Sequence, residues 1–254
     1  MKQYKGYLID LDGTMYRGEE RIDAASRFVT KLAEQEIPHL FVTNNSSKTP
    51  EQVSDKLLSM DIPAKPEQVV TSSVAAARFI KKQYGETGVY MIGEKGLKTA
   101  LEDEGHRLTE EAPEVVVMGI DHEISYEKLA KAALAVRNGA AFISTNGDVA
   151  IPTERGLLPG NGALTSVVEV STGQKPVFIG KPESVIVELA LEMLGTSLQD
   201  TVMVGDNYQT DILAGINAGM DTIIVHTGVT AKDQLGGFKI QPSWSIDSLD
   251  DWKF

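Results

Sequence analysis

A chain of 254 residues can form one large α/β unit or a core with an insert, and its 42% hydrophobic and 24% charged content excludes fibrous and disordered classes. The net charge of -12 argues against nucleic acid and against an anionic membrane as partners, because both are bound through clustered basic surface. No cysteine is present, which excludes disulfide scaffolds, thiolate metal sites and cysteine nucleophiles and makes a cytoplasmic location the expectation.

The opening residues run straight into a short apolar strand, Tyr7-Leu8-Ile9, and are expected not to be a signal peptide. No apolar stretch approaches the ~20 residues that a membrane span needs. An amphipathic stretch, Ala24 to Glu36, predicts a helix and leads to a second apolar run, Leu40-Phe41-Val42. Pro50 opens a predicted helix reaching Met60, and a further one covers Ser73 to Gln83. Gly85-Glu86-Thr87-Gly88 then reads as a hinge. Beyond it come the strand Val115 to Met118, the helix Tyr126 to Arg137 and the strand Ala141-Phe142-Ile143, before a second hinge at Gly173-Gln174-Lys175-Pro176. The chain resumes with the strand Val177-Phe178-Ile179, the helix Glu183 to Leu194, the strand Thr201 to Val204, the helix Thr210 to Ala218 and the strand Thr222 to Val225. Gly195 and Gly219 follow two of these helices, where glycine commonly ends one. Strand and helix in alternation predict an α/β fold with a doubly wound parallel sheet. The expected division is a core of residues 1–85 and 176–254, interrupted by an inserted α/β domain over 86–175.

In such sheets the loops after the carboxyl ends of strands build the site. The first strand ends in Asp10-Leu11-Asp12-Gly13-Thr14, whose two carboxylates repel unless a cation or a shared proton compensates them. The second ends in Thr43-Asn44-Asn45-Ser46-Ser47, a run of hydroxyl and amide donors suited to an anion. Gly180-Lys181-Pro182 follows a third strand, and Gly205-Asp206 to Asp211 a fourth. Taken singly these are an acidic turn, a helix cap, a surface lysine and a first-turn acid, but one parallel sheet would bring all of them together. Four carboxylates against one lysine would then repel a phosphate dianion, so a divalent cation is required. Hard oxygen ligands with no histidine or cysteine cluster point to Mg²⁺. His39, His106, His122 and His226 are scattered without metal-ligand spacing. Gly160-Asn161-Gly162 is not a dinucleotide fingerprint, since Thr165 stands where the third glycine belongs. Trp244, Trp252 and Phe254 are expected to pack a closing segment onto the core.

These motifs, together with Thr145-Asn146-Gly147-Asp148 and Pro159-Gly160-Asn161-Gly162, resemble the haloacid dehalogenase (HAD) superfamily of aspartyl-phosphate phosphatases, and within it the NagD or 4-nitrophenylphosphatase branch. The resemblance covers essentially the whole chain. It implies a Rossmann-like core carrying a large α/β cap of the C2 type, which closes over the site. It also implies Mg²⁺-dependent hydrolysis of small phosphomonoesters: sugar or sugar-acid phosphates, nucleoside monophosphates, phosphoglycolate, 4-nitrophenyl phosphate. By similarity Asp10 is the nucleophile and Asp12 the acid, then base. Asp10, the backbone carbonyl of Asp12, and Asp206 would hold the metal. Thr43, Asn44 and Lys181 would grip the phosphoryl, and Asp211 would steady Lys181 or the groups around the metal. Asn146 and Asp148 are candidates for the leaving-group pocket. The implied partner is a small phosphorylated metabolite, with no nucleic acid or membrane, bound by a monomer or homodimer. A phosphomutase of the same superfamily and a receiver-type phospho-acceptor share the early chemistry and are the competing expectations.

Overall fold

The structure, a computed structural model, describes residues 2–153 and 155–254. The chain forms two compact units, one from Met1–Thr43, Pro50–Val70 and Lys181–Phe254, the other from Asn44–Thr49 and Thr71–Gly180.

The first unit is built on a six-stranded sheet in the order Trp244–Ile246, Asp221–Val225, Thr201–Gly205, Gly6–Ile9, His39–Thr43, Val69–Thr71. The pairings from Trp244–Ile246 across to His39–Thr43 are parallel, with Leu8 opposite Met203 on one side and Leu40 on the other. The three central strands are buried along their whole length, which is why they read as continuous apolar runs and not as alternating ones. The chain winds outward in both directions from Gly6–Ile9, so the loops after Ile9 and Gly205 leave the sheet at the point where strand order reverses. Helices Asp23–Glu34, Pro50–Ser59 and Ser184–Leu194 belong to this unit, and a π-helical turn, Tyr208–Ile212, runs into helix Leu213–Ala218. Gly195 and Gly219 end their helices in the left-handed conformation, as their sequence positions predicted. The closing segment also packs as expected: Trp252 stacks on Tyr4 with centroids 6.1 Å apart, and Phe254 lies 5.2 Å from Phe28.

The second unit carries a parallel five-stranded sheet in the order Val177–Phe178, Ala141–Ser144, Val115–Met118, Gly88–Ile92, Arg107–Leu108. Its helices are Ser72–Tyr84, Lys95–Asp103, Tyr126–Arg137 and Asn161–Thr172, and an antiparallel hairpin pairs Ala150–Thr153 with Gly156–Pro159.

The units divide elsewhere than at the two hinges read from the sequence. Helix Ser72–Tyr84 belongs to the second unit, because Arg78 Nε pairs with Glu104 at 3.2 Å and His106 Nε2 lies 3.0 Å from Ala77 O. Residues 176–180 belong there too: Val177–Phe178 pairs with Ile143 and Ser144, and the Gly180 N–H donates to Thr145 O at 2.8 Å. Lys181 therefore follows a strand of the second sheet, not of the first as the apolar run suggested. Helix Asn161–Thr172 had no clear signal, since its threonines and valines are weak helix formers. Val69–Thr71 and Trp244–Ile246 are too short, at three residues each, to stand out as strands.

Candidate active site

Asp10 continues the strand Gly6–Ile9, donating its backbone N–H to Val204 O at 2.9 Å, and thus stands at the reversal point of the first sheet. Asp206 follows the neighbouring strand Thr201–Gly205, and Asp211 lies in the π-helical turn. Lys181 Nζ donates to Asp10 Oδ1 at 2.5 Å and to Val42 O at 2.9 Å, and it pairs with Asp211 Oδ1 at 2.7 Å. Three ammonium hydrogens thus face three acceptors. All four side chains are buried, Lys181 at 2% exposure and Asp206 and Asp211 at 1%. Oxygens of Asp10, Asp206 and Asp211 lie within 4.8 Å of one another.

The loops around this cluster hold the carboxylates in place. The Thr14 hydroxyl stands 3.2 Å from both Asp10 Oδ2 and Asp206 Oδ1, and Asp206 Oδ2 accepts the Val229 N–H at 2.6 Å. Asp211 Oδ2 accepts the Asn207 N–H at 3.0 Å. Gly13, at φ 88°, and Gly228 both press on the Asp206 carboxylate, which a β-carbon at either position would overlap. Sequence reasoning singled out neither Gly228 nor Val229: they lie just beyond the strand Asp221–Val225 without any chemical signature of their own.

Burial pushes the Asp10 carboxyl well above its ordinary range, and the charge of Asp211 adds to that, against the opposing pull of Lys181. Burial, reinforced by Asp211, likewise pushes Asp206 up to about 6, although the Val229 N–H and the Thr14 hydroxyl favour its ionised form. For Lys181 burial acts downward, but the adjacent Asp10 and Asp211 outweigh it and raise the ammonium. A buried set of three carboxylates with one lysine is short of positive charge. An all-oxygen donor set of this kind fits a hard divalent cation such as Mg²⁺.

A family model described as haloacid dehalogenase-like hydrolase matches residues 7–107, and one described as HAD-hydrolase-like matches residues 178–252. The chain belongs to the HAD-like hydrolases. Among the relatives of this HAD chain, the 5'-nucleotidase YutF of Bacillus subtilis (strain 168) is 60% identical over 99% of this chain and 98% of its own length. The acid sugar phosphatase of Staphylococcus haemolyticus is 56% identical over 98% and 95%. NagD from E. coli K-12 superposes with a TM-score of 0.94 at 31% identity, over 99% of both chains, which agrees with the NagD-like branch.

The remaining expected residues of this HAD chain fall into two groups. In the first unit Thr43 is buried at the end of its strand, while the Asp12 side chain is exposed, outside the carboxylate cluster, and accepts the Tyr16 hydroxyl at 3.5 Å. In the second unit Asn44, Asn146 and Asp148 meet. Asn44 Nδ2 donates to both Asp148 oxygens, at 3.3 and 3.2 Å, and Asn146 Nδ2 donates to Asn44 O at 2.8 Å. Asn146 is buried, which makes it a supporting residue of the Asn44 loop in this structure.

The raised Asp206 carboxyl sets a pH dependence. A group whose folded pKa exceeds its unfolded one adds stability that is full below about 4 and is lost as pH rises through about 6. Metal binding needs the ionised form, so protons compete with it below about 6. Calorimetric titration with Mg²⁺ is expected to show affinity falling by up to about tenfold per pH unit on that side. Affinity independent of pH between 5 and 7 would remove Asp206 from the ligand set.

Proposed function

We propose that the protein is a Mg²⁺-dependent phosphatase that hydrolyses small phosphomonoesters through an aspartyl phosphate on Asp10. It is a phosphoric monoester hydrolase, and the observation that carries the reading is the buried cluster of Asp10, Asp206 and Asp211 around Lys181. Asp10, Asp206 and the Asp12 backbone carbonyl would hold the cation, which supplies positive charge against the phosphoryl oxygens. Lys181 fixes the rotation of the Asp10 carboxylate and favours its ionised form for attack. As an Asp10 oxygen bonds to phosphorus the ester oxygen departs, taking a proton from Asp12. Asp12 then removes a proton from the water that attacks the aspartyl phosphate, which releases inorganic phosphate and restores both aspartates.

The leaving group is the open variable. Relatives 60% and 56% identical to this chain carry the names 5'-nucleotidase and acid sugar phosphatase, so closely similar chains go by different substrates. Sugar and sugar-acid phosphates, nucleoside monophosphates, phosphoglycolate and 4-nitrophenyl phosphate form the candidate set. Asp148 is proposed to discriminate among them in a cytoplasmic enzyme.

Removal of the Asp12 carboxylate tests the mechanism. Its side chain is exposed, so Asp12→Asn is expected to change stability by less than about 0.5 kcal/mol. Activity should fall by about 10²- to 10⁴-fold for an alkyl phosphate and far less for 4-nitrophenyl phosphate, whose leaving group needs little protonation. Rapid-mixing measurements should show a burst of nitrophenol without matching phosphate, because the intermediate waits for a base. Equal losses for both esters without a burst would refute the acid and base roles.

A further inference from the structure

Gly160-Asn161-Gly162, which fails as a nucleotide fingerprint, has a different use in the second unit. The three residues begin helix Asn161–Thr172 and press on the loop that follows strand Ala141–Ser144. The Gly160 N–H donates to Val149 O at 3.0 Å and the Gly162 N–H to Asp148 O at 2.8 Å. A β-carbon at Gly160 would overlap Asp148 O, and one at Gly162 would overlap Gly147 O, so this contact demands glycine on both sides. Between them Asn161, 2% exposed, brings its amide nitrogen to four acceptors: Asn146 O at 2.9 Å, Ser144 Oγ at 3.0 Å, Thr145 Oγ1 at 3.2 Å and Met118 O at 3.3 Å.

An amide has only two N–H groups, so these acceptors share them. The Asn161 Oδ1 is buried and has no hydrogen-bond partner among the described residues. A buried acceptor left without a donor costs stability, which makes the donor half of the amide the reason for asparagine at this position.

The loop held in this way reaches Asn44. Asn146 Nδ2 and the Ser72 hydroxyl both donate to Asn44 O, at 2.8 and 2.7 Å, while Asn146 Oδ1 accepts the Asp148 N–H at 3.1 Å. Asn44 directly follows Thr43, the residue at which the chain leaves the first unit. We infer that Asn161 is a positioning residue that, through Asn146, sets the backbone of Asn44 and thereby the affinity for the phosphoryl group, whatever the leaving group. The inference rests on the reading of Asn44 as a phosphoryl ligand.

The test measures binding of inorganic phosphate to the Mg²⁺-loaded protein by calorimetry, beside steady-state kinetics on 4-nitrophenyl phosphate, a sugar phosphate and a nucleoside monophosphate. Asn161→Ala is expected to weaken phosphate binding about tenfold, as loss of one buried hydrogen-bonded group does, and to raise KM by a common factor for all three esters. In an Asn146→Ala background the same change should have little further effect, because the bond to Asn44 O through which it acts is already lost. Unchanged phosphate affinity with a lower Tm would reduce Asn161 to a structural role and overturn the inference. So would an equal loss in both backgrounds, or KM changes that differ among the esters. Should Asn161→Ala not fold, Asn146→Ser removes the bond to Asn44 O directly and carries the same expectations. Absence of phosphate binding by the unmodified protein overturns both the inference and its premise, whereas binding without turnover overturns the phosphatase reading alone.

Discussion

Asp10→Asn is expected to abolish phosphate release from every ester, by on the order of 10⁴- to 10⁶-fold, since it removes the nucleophile and not an assisting group. Leaving-group quality should not matter, in contrast to Asp12→Asn. Stability should move the other way. The Asp10 carboxylate is buried, raised by that burial and by Asp211, and only partly offset by Lys181. A neutral amide of the same shape relieves the charge excess while Asp211 still holds the lysine at 2.7 Å. Thermal unfolding in the presence of a chelator should therefore give a Tm for Asp10→Asn no lower than that of the unmodified protein. Turnover above about 1% of the original would show that another group attacks phosphorus. A large drop in Tm would show that Asp10 is a structural anchor first.

Lys181→Met should produce a large loss of stability. The ammonium, 2% exposed, is the partner of both Asp10 and Asp211, and its removal leaves two buried carboxylates facing each other. Breaking such a buried pair costs about 3–5 kcal/mol. For a chain of this size that lowers Tm by on the order of 10 °C. The sign of the pH dependence follows from Asp10. Its folded pKa is raised, so ionising it in the folded state costs stability as pH climbs above the ordinary carboxylate range, and without Lys181 that cost grows. The deficit of Lys181→Met should accordingly be greatest near neutral pH and smaller at about pH 5, because a carboxyl with a raised pKa takes up its proton as pH falls. Urea denaturation of both proteins in chelator at the two pH values measures it. An equal deficit at both would place the loss in packing by the lysine stem and not in its charge.

The sequence by itself determined the fold class and the family. Buried parallel strands must be apolar throughout, so Tyr7-Leu8-Ile9, Leu40-Phe41-Val42 and Thr201 to Val204 stood out as runs, and the acidic and hydroxyl residues just past them were legible as chemistry. Glycines at helix ends were readable for a similar local reason, since only the conformation of one residue decides them. The tertiary structure alone decided where the units divide, because helix Ser72–Tyr84 and the strand Val177–Phe178 are assigned by partners far away in sequence, Glu104 and Ile143 among them. It alone showed that Lys181 reaches Asp10 although its preceding strand lies in the other sheet. It also showed that Gly13 and Gly228 enclose Asp206, and that Asn161 holds the Asn146 loop. Such contacts join positions more than a dozen and up to two hundred residues apart, and their strength comes from excluding water around polar groups. A local pattern of residue types carries no record of that exclusion, which exists only once the chain has folded around it.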